Sequence, residues 1–138
     1  LKFFSDDPFL TINPDTIWNN KHFLDLKMMQ KIFFKNKKNK CTLLLVDKKK
    51  SFDKTITGDF NLKKKLIFRD RKNKNNYIYT GLQIIRPQVF KNLNKNFFSI
   101  NLVWNKLILN KEISGVESIN DFLHVSDLSI YKKIIKRY

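Results

Sequence analysis

Apolar positions along the chain switch between a helical period and short continuous runs, and these switches outline the elements. Phe9–Ile12 (FLTI) is a short apolar run stopped by Asn13 and Pro14, which predicts a strand. Asn19 or Asn20 can cap a helix over about 21–35. Its apolar stripe is Leu24, Met28 and Ile32, flanked by Leu26, Met29 and Phe33. Cys41–Asp47 (CTLLLVD) is the unbroken apolar run expected of a strand covered on both faces. Strand, helix and covered strand in succession predict a βαβ unit with parallel strands.

Beyond Asp47 the pattern shortens. GDFNL and KLIF predict two short strands joined by lysines, RDRKNKNN a polar loop, and Tyr77–Ile85 a long β-rich strand interrupted by Gly81. Pro87 suits the first turn of a short helix ending near Leu93. Ser99 can cap a second helix with Val103, Trp104, Leu107 and Ile108 on one face. Gly115 is expected to close that helix, and FLHV to form a last short strand. Ser126 or Asp127 then caps a terminal helix with Leu128, Tyr131, Ile134 and Ile135 turned inward. There are no repeats and no linker long enough to divide two domains.

Composition changes this picture in two places. A net charge of +16 over 138 residues would ordinarily direct attention to nucleic acid or an anionic surface. The positive charge comes from 24 Lys against four Arg, and Arg is the residue that specific phosphate and base recognition prefers. Lys, Asn, Ile and Phe dominate the chain, as coding by A/T-rich DNA would produce. The lysine runs at 37–40, 48–50 and 63–65 therefore read as solvated surface rather than a specific nucleic-acid stripe. The single cysteine, Cys41, lies inside an apolar run, which implies a reducing, cytoplasmic setting and no disulfide framework. No segment has the apolar length of a membrane span.

Candidate chemistry is sparse. Asp15 is a lone carboxylate at a strand end, a position suited to a turn residue or to a metal ligand. The chain has only three glycines, Gly58, Gly81 and Gly115, and each is expected where a side chain would be in the way. Gly81, inside a strand, marks either a bulge or close approach by a ligand. His124 reads from local context as a hydrogen-bonded histidine, and His22 as surface.

Several segments together resemble a known family. TINPDTIW resembles the NGDTLW-type segment of the sugar-phosphate nucleotidyltransferases, and YTGLQIIRPQVF is similar to their YTGIQI-x-x-P-x-x-F segment. FFSINLVWNKLI with GVES and FLHVSDLSIY is similar to their closing stretch, and GDFNL fits a GDF-x-L segment between them. By these words the nearest subgroups are the N-acetylmuramate-1-phosphate uridylyltransferases and the mannose-1-phosphate guanylyltransferases. The resemblance implies an α/β fold with a Rossmann-like mixed sheet, N-terminally truncated. Residues 1–138 would be the C-terminal part of a single nucleotidyltransferase domain.

The activity implied is transfer of a nucleoside monophosphate from a nucleoside triphosphate to a sugar 1-phosphate, releasing pyrophosphate, with Mg²⁺ as cofactor. Cell-wall or polysaccharide precursors, including recycled peptidoglycan sugars, are the implied destination. On the same grounds Asp15 is the catalytic metal ligand, and Gly58, Tyr79, Thr80, Gly81 and His124 border the substrate. The chain also departs from the family. Pro14 replaces the glycine before the aspartate, His124 stands where the wider family has a second carboxylate, and SDL replaces GTP. A neutral imidazole is a poor Mg²⁺ ligand, so His124 is the candidate to donate a hydrogen bond to a phosphate. The Gly-rich GxGTRLxPxT cradle for the triphosphate is absent from these residues, so residues 1–138 alone are not expected to catalyse the transfer. Two further readings stand beside this one: a basic module that holds nucleic acid through lysines and aromatics, and a catalytically inactive relative.

Overall fold

The middle of the chain is organised around β2 (Cys41–Asp47), which is buried along nearly its whole length because it has a strand on each side and a helix over each face. A computed structural model describes residues 4–70, 72, 74–91 and 97–137. Six strands form one mixed sheet in the order β1 (Phe9–Ile12), β5 (Tyr77–Ile85), β2, β6 (Ile113–Glu117), β4 (Leu66–Phe68) and β3 (Asn61–Lys63). Only β2 and β6 pair in parallel; every other neighbouring pair is antiparallel.

Helix α1 (His22–Lys35) lies over one face, where Met29 and Phe33 meet Leu44, Leu82, Ile84 and Val116. Helix α2 (Ile100–Leu109) belongs to the other face, where Val103, Trp104 and Leu107 join Cys41, Leu43, Leu45, Phe60, Ile85 and Ile113. A smaller group, Val46, Ile78 and Phe122, fills the carboxyl end of β2. α3 (Leu128–Arg137) closes the chain.

The alternation along β5 sends Tyr79, Gln83 and Ile85 to the α2 side and Ile78, Leu82 and Ile84 to the other. Gln83 is buried on the apolar α2 side because its Oε1 accepts from Trp104 Nε1 at 3.1 Å and from Cys41 Sγ at 3.4 Å. Burial pushes the Cys41 thiol far above its usual range, so it behaves as a core side chain.

Several expectations are corrected. β1 and β2 run in the same direction but are not neighbours, since β5 lies between them and is antiparallel to both. The inward stripe of α1 is Asp25, Met29 and Phe33, while Leu24 and Met28 are exposed. The stripe is displaced by one residue because its first position is a carboxylate, which interrupts the apolar period. Gly115 sits inside β6 rather than at a helix end; α2 stops at Leu109 and turns through Lys111 at φ 55°. A Cβ at Gly115 would come within 3.0 Å of Leu62, Ile67 and Leu45, so the β3–β4 hairpin closes down on that spot.

FLHV makes no strand, only isolated bridges from Phe122 to Ser51 and from His124 to Thr16. The helix after Pro87 is a short 3₁₀ turn, Pro87–Phe90, and its expected end at Leu93 lies outside the described residues. In α3 the inward residues are Ile130 and Ile134, whereas Leu128, Tyr131 and Ile135 are exposed. Asp127 caps it, its Oδ1 accepting from the backbone of Ser129 at 2.7 Å and Ile130 at 2.9 Å.

Candidate functional site

β1 ends beside the middle of β5, and that encounter sets the geometry of everything after it. The pairing of Ile12 with Leu82 brings Asn13 opposite Gly81, and Asn13 N donates to Gly81 O at 3.0 Å. Gly81 has φ +92°, and a Cβ there would stand 2.5 Å from Asn13 Cβ. The position therefore admits only glycine, both for backbone conformation and for space. The close approach at Gly81 is made by the loop that carries Asp15.

That loop, residues 13–17, is fastened on both sides. On the β5 side, Thr16 Oγ1 donates to Thr80 O at 3.1 Å, and Thr16 is buried. On the other side, Val125 N donates to Asp15 O at 2.7 Å and Ile17 N donates to Leu123 O at 2.9 Å. Trp18 Nε1 reaches back to Asn13 O at 3.1 Å. The backbone that carries Asp15 is thus fixed between residues 80–81 and residues 123–125, which are distant in sequence.

Its partner is His124, whose Nε2 lies 3.3 Å from Asp15 Oδ2. The imidazole stacks on Phe122, ring centroids 5.6 Å apart, and its Nδ1 is buried without a hydrogen-bond partner among the described residues. His124 Nε2 thus stands beside one oxygen of Asp15, whose side chain is 45% exposed. No cluster of three or more His, Cys, Asp or Glu side chains suited to a metal occurs among the described residues. An exposed lone carboxylate fits a hard divalent ion that takes its remaining ligands from water and phosphate oxygens, as Mg²⁺ does.

The other sequence candidates do not all face this point. Thr80 turns its hydroxyl to Leu44 O at 3.0 Å and is buried, so it serves through its carbonyl rather than its side chain. Tyr79 projects to the opposite face of the sheet, its ring 4.8 Å from Trp104, and burial raises its phenol above the usual range. Gly58 lies against the backbone of residues 75–76, where a Cβ would fall 2.3 Å from Asn75 O.

Two carboxylates went unremarked in the sequence. Asp25 is 1% exposed and its Oδ2 accepts from Ser118 Oγ at 2.7 Å and Asn120 Nδ2 at 2.8 Å, tying α1 to the segment that leads into His124. Asp59 Oδ2 accepts from Tyr79 N at 2.9 Å; burial raises its pKa against that bond and against Arg69. The one-residue break in the α1 stripe was the available signal for Asp25. Nothing in the local pattern distinguished Asp59 from a turn residue.

The sequence matches no protein-family model and no curated protein. The fold does have a counterpart among solved structures. A Bacillus anthracis protein described as a glucose-1-phosphate thymidylyltransferase, crystallised with sucrose, superimposes with a TM-score of 0.70 at 17% identity. The match takes in 96% of this chain and 55% of that one, so the chain spans about half the length of that structure. At this identity the similarity establishes a shared fold, a mixed α/β sheet, and no more than that.

Proposed function

We propose that residues 1–138 supply the metal-binding and sugar-phosphate side of a nucleotidyltransferase that joins a nucleoside triphosphate to a sugar 1-phosphate and releases pyrophosphate. One observation carries the reading: the loop bearing Asp15 is clamped between Thr80–Gly81 and Leu123–Val125, so three separated segments that resemble the family converge on one carboxylate. The counterpart fold supports the reading at the level of architecture.

In this mechanism Asp15 would hold Mg²⁺, which supplies neutralising charge for the phosphates of two anionic partners. The chain's own contribution is positional. His124 keeps the Asp15 carboxylate turned one way, and Gly81 lets the loop seat against β5. With Nε2 beside that carboxylate and Nδ1 buried, His124 serves by positioning Asp15 and not by donating to a phosphate oxygen, the role expected from its sequence context. The Gly-rich nucleotide-phosphate cradle of the resembled family is not among residues 1–138, so this reading assigns them the sugar-phosphate side only. A cytoplasmic setting and a role in cell-wall or polysaccharide precursor synthesis complete the proposal. Among the described residues no helix is long and apolar enough to cross a membrane. The nucleic-acid reading calls for aromatics on an open strand face, and helices α1 and α2 lie over the two faces of the central strands.

The test has two parts. With Mn²⁺ as a paramagnetic probe, amide resonances of Asp15, Thr16 and His124 should broaden selectively in the 138-residue chain and not in Asp15→Asn. In a protein that contains these residues together with a nucleotide cradle, Asp15→Asn should abolish pyrophosphate release with sugar 1-phosphates. Unchanged turnover removes Asp15 from the mechanism.

A further inference from the structure

Away from Asp15, at the amino ends of β2 and β6, lies a groove of about 360 Å³, within the roughly 300–1,000 Å³ of small-molecule sites. Lys35, Lys37, Lys65 and Lys111 line it, and Asn39 and Ser114 are polar parts of its wall. Among the described residues no carboxylate lines it. We infer that this groove binds a small phosphate-bearing anion, a di- or triphosphate group being the best fit. The inference stands apart from the transferase reading and does not depend on it.

The lysines come from separate elements whose backbones are held in place. Lys35 ends α1, and Lys37 sits in a loop tied by Asn36, whose Oδ1 accepts from Lys38 N at 3.0 Å and whose carbonyl accepts from Asn39 N at 2.9 Å. Lys65 belongs to the β3–β4 turn and its carbonyl accepts from Gly115 N at 2.9 Å. Lys111 occupies the left-handed region at φ 55°, and Glu112 N behind it donates to Leu107 O at 2.9 Å. Glycine or asparagine is usual at such a position after a helix, and here a lysine is held there.

Charge supports an anionic occupant. The carboxylate beside Lys111, that of Glu112, is engaged by Lys40 at 2.7 Å. None of the four groove ammonium groups makes an ion pair or hydrogen bond with a described residue. Several unpaired lysines on braced backbones suit a compact multivalent anion, which each contacts as a point charge. The apolar lining is aliphatic (Ile32, Leu66 and Ile113), with no aromatic ring on which a base could stack, which argues against a nucleic-acid strand. At the floor, Asn39, Thr42 and Ser114 form a buried polar cluster, with Thr42 Oγ1 2.8 Å from Ser114 Oγ.

The experiment titrates the 138-residue chain with sodium pyrophosphate, and separately with inorganic phosphate, by calorimetry and amide chemical shifts at near-physiological salt. Saturable one-site binding of pyrophosphate is expected, with shifts confined to Asn36, Asn39, Lys65, Lys111 and Ser114. Lys65→Gln combined with Lys111→Asn should weaken it roughly tenfold or more, from two contacts each of ordinary ion-pair strength. Asparagine keeps the left-handed turn, so this variant should retain the parent circular dichroism. Lys48→Gln with Lys49→Gln removes the same charge elsewhere and should leave affinity within about twofold. Stronger binding of pyrophosphate than of phosphate points to a nucleoside-diphosphate-like ligand, and the reverse order to orthophosphate or a phosphomonoester. Non-saturating shifts spread over all lysines, equal weakening by both double variants, or tighter binding of a single-stranded oligonucleotide through the same residues would overturn the inference.

Discussion

Gly81→Ala is the sharpest test of how the Asp15 loop is built. The new methyl would lie 2.5 Å from Asn13 Cβ and 2.8 Å from its Cγ, distances that two carbon atoms do not tolerate without movement. At φ +92° an alanine also carries strain of about 1–2 kcal/mol. Overpacking a fitted site adds about 1–3 kcal/mol, so the expected loss is about 2–5 kcal/mol. The two contributions separate in a double-mutant cycle. In an Asn13→Gly background the colliding side chain is gone, while the bond from the residue 13 N–H to Gly81 O and that from the Trp18 indole N–H to the residue 13 carbonyl can remain. There Gly81→Ala should cost only the strain, about 1–2 kcal/mol, leaving a coupling of at least about 1 kcal/mol. Urea unfolding of the four proteins measures it. The His124 imidazole resonances should shift in the single variant, because displacing residues 13–17 moves Asp15. A cost below about 0.5 kcal/mol, or the same cost in both backgrounds, would refute the close approach of the two segments.

The remaining expectations concern groups that brace the same region. Thr16→Val keeps the shape but removes the donor to Thr80 O, and should cost about 1 kcal/mol in urea unfolding. Asp25→Ala strands the Ser118 hydroxyl and the Asn120 amide, at a cost of about 2–3 kcal/mol, with faster hydrogen exchange at residues 118–120; Asp25→Asn should be milder. Bonds from the Ile130 backbone, then from Ser129, hold the Asp127 carboxyl below the usual carboxylate range. Its folded pKa is depressed, so the stabilisation is complete above the unfolded value of about 3.9 and disappears as pH falls through the folded value. The stability difference between wild type and Asp127→Ala should accordingly be present at neutral pH and shrink on acidification; a difference that grows below pH of about 4 would contradict the cap.

Much of the fold was legible because several signals are local. Cys41–Asp47 and Tyr77–Ile85 were readable end to end, since continuous burial demands continuous apolar or β-branched residues. Ser99 and Asp127 declared their helices through side chains that bond the first backbone N–H groups. The errors arose where neighbours rather than local sequence chose the outcome. Asp25 disguised the α1 stripe because its acceptors' partners, Ser118 and Asn120, come from more than ninety positions along the chain. Gly115 looked like a helix terminator because its reason, the hairpin bearing Leu62 and Ile67, is contributed from another part of the sheet. FLHV failed as a strand because its bridges go to two separate partners, Ser51 and Thr16, and no single ladder can extend.

By itself the sequence determined most of the strands and helices, though neither β6 nor the irregular path of FLHV, that β2 is covered on both faces, and that Asp15 and Gly81 are unusual. Those properties depend on the residue and its immediate neighbours, so they survive without knowledge of the fold. Strand order, the side of the sheet that receives Tyr79, the turning of the Thr80 hydroxyl to Leu44, and the pairing of Asp15 with His124 were decided only by tertiary structure. The physical reason is the antiparallel insertion of β5 between β1 and β2. It brings Asn13 onto Gly81 and sets the Asp15 loop between two segments that the chain order keeps far apart.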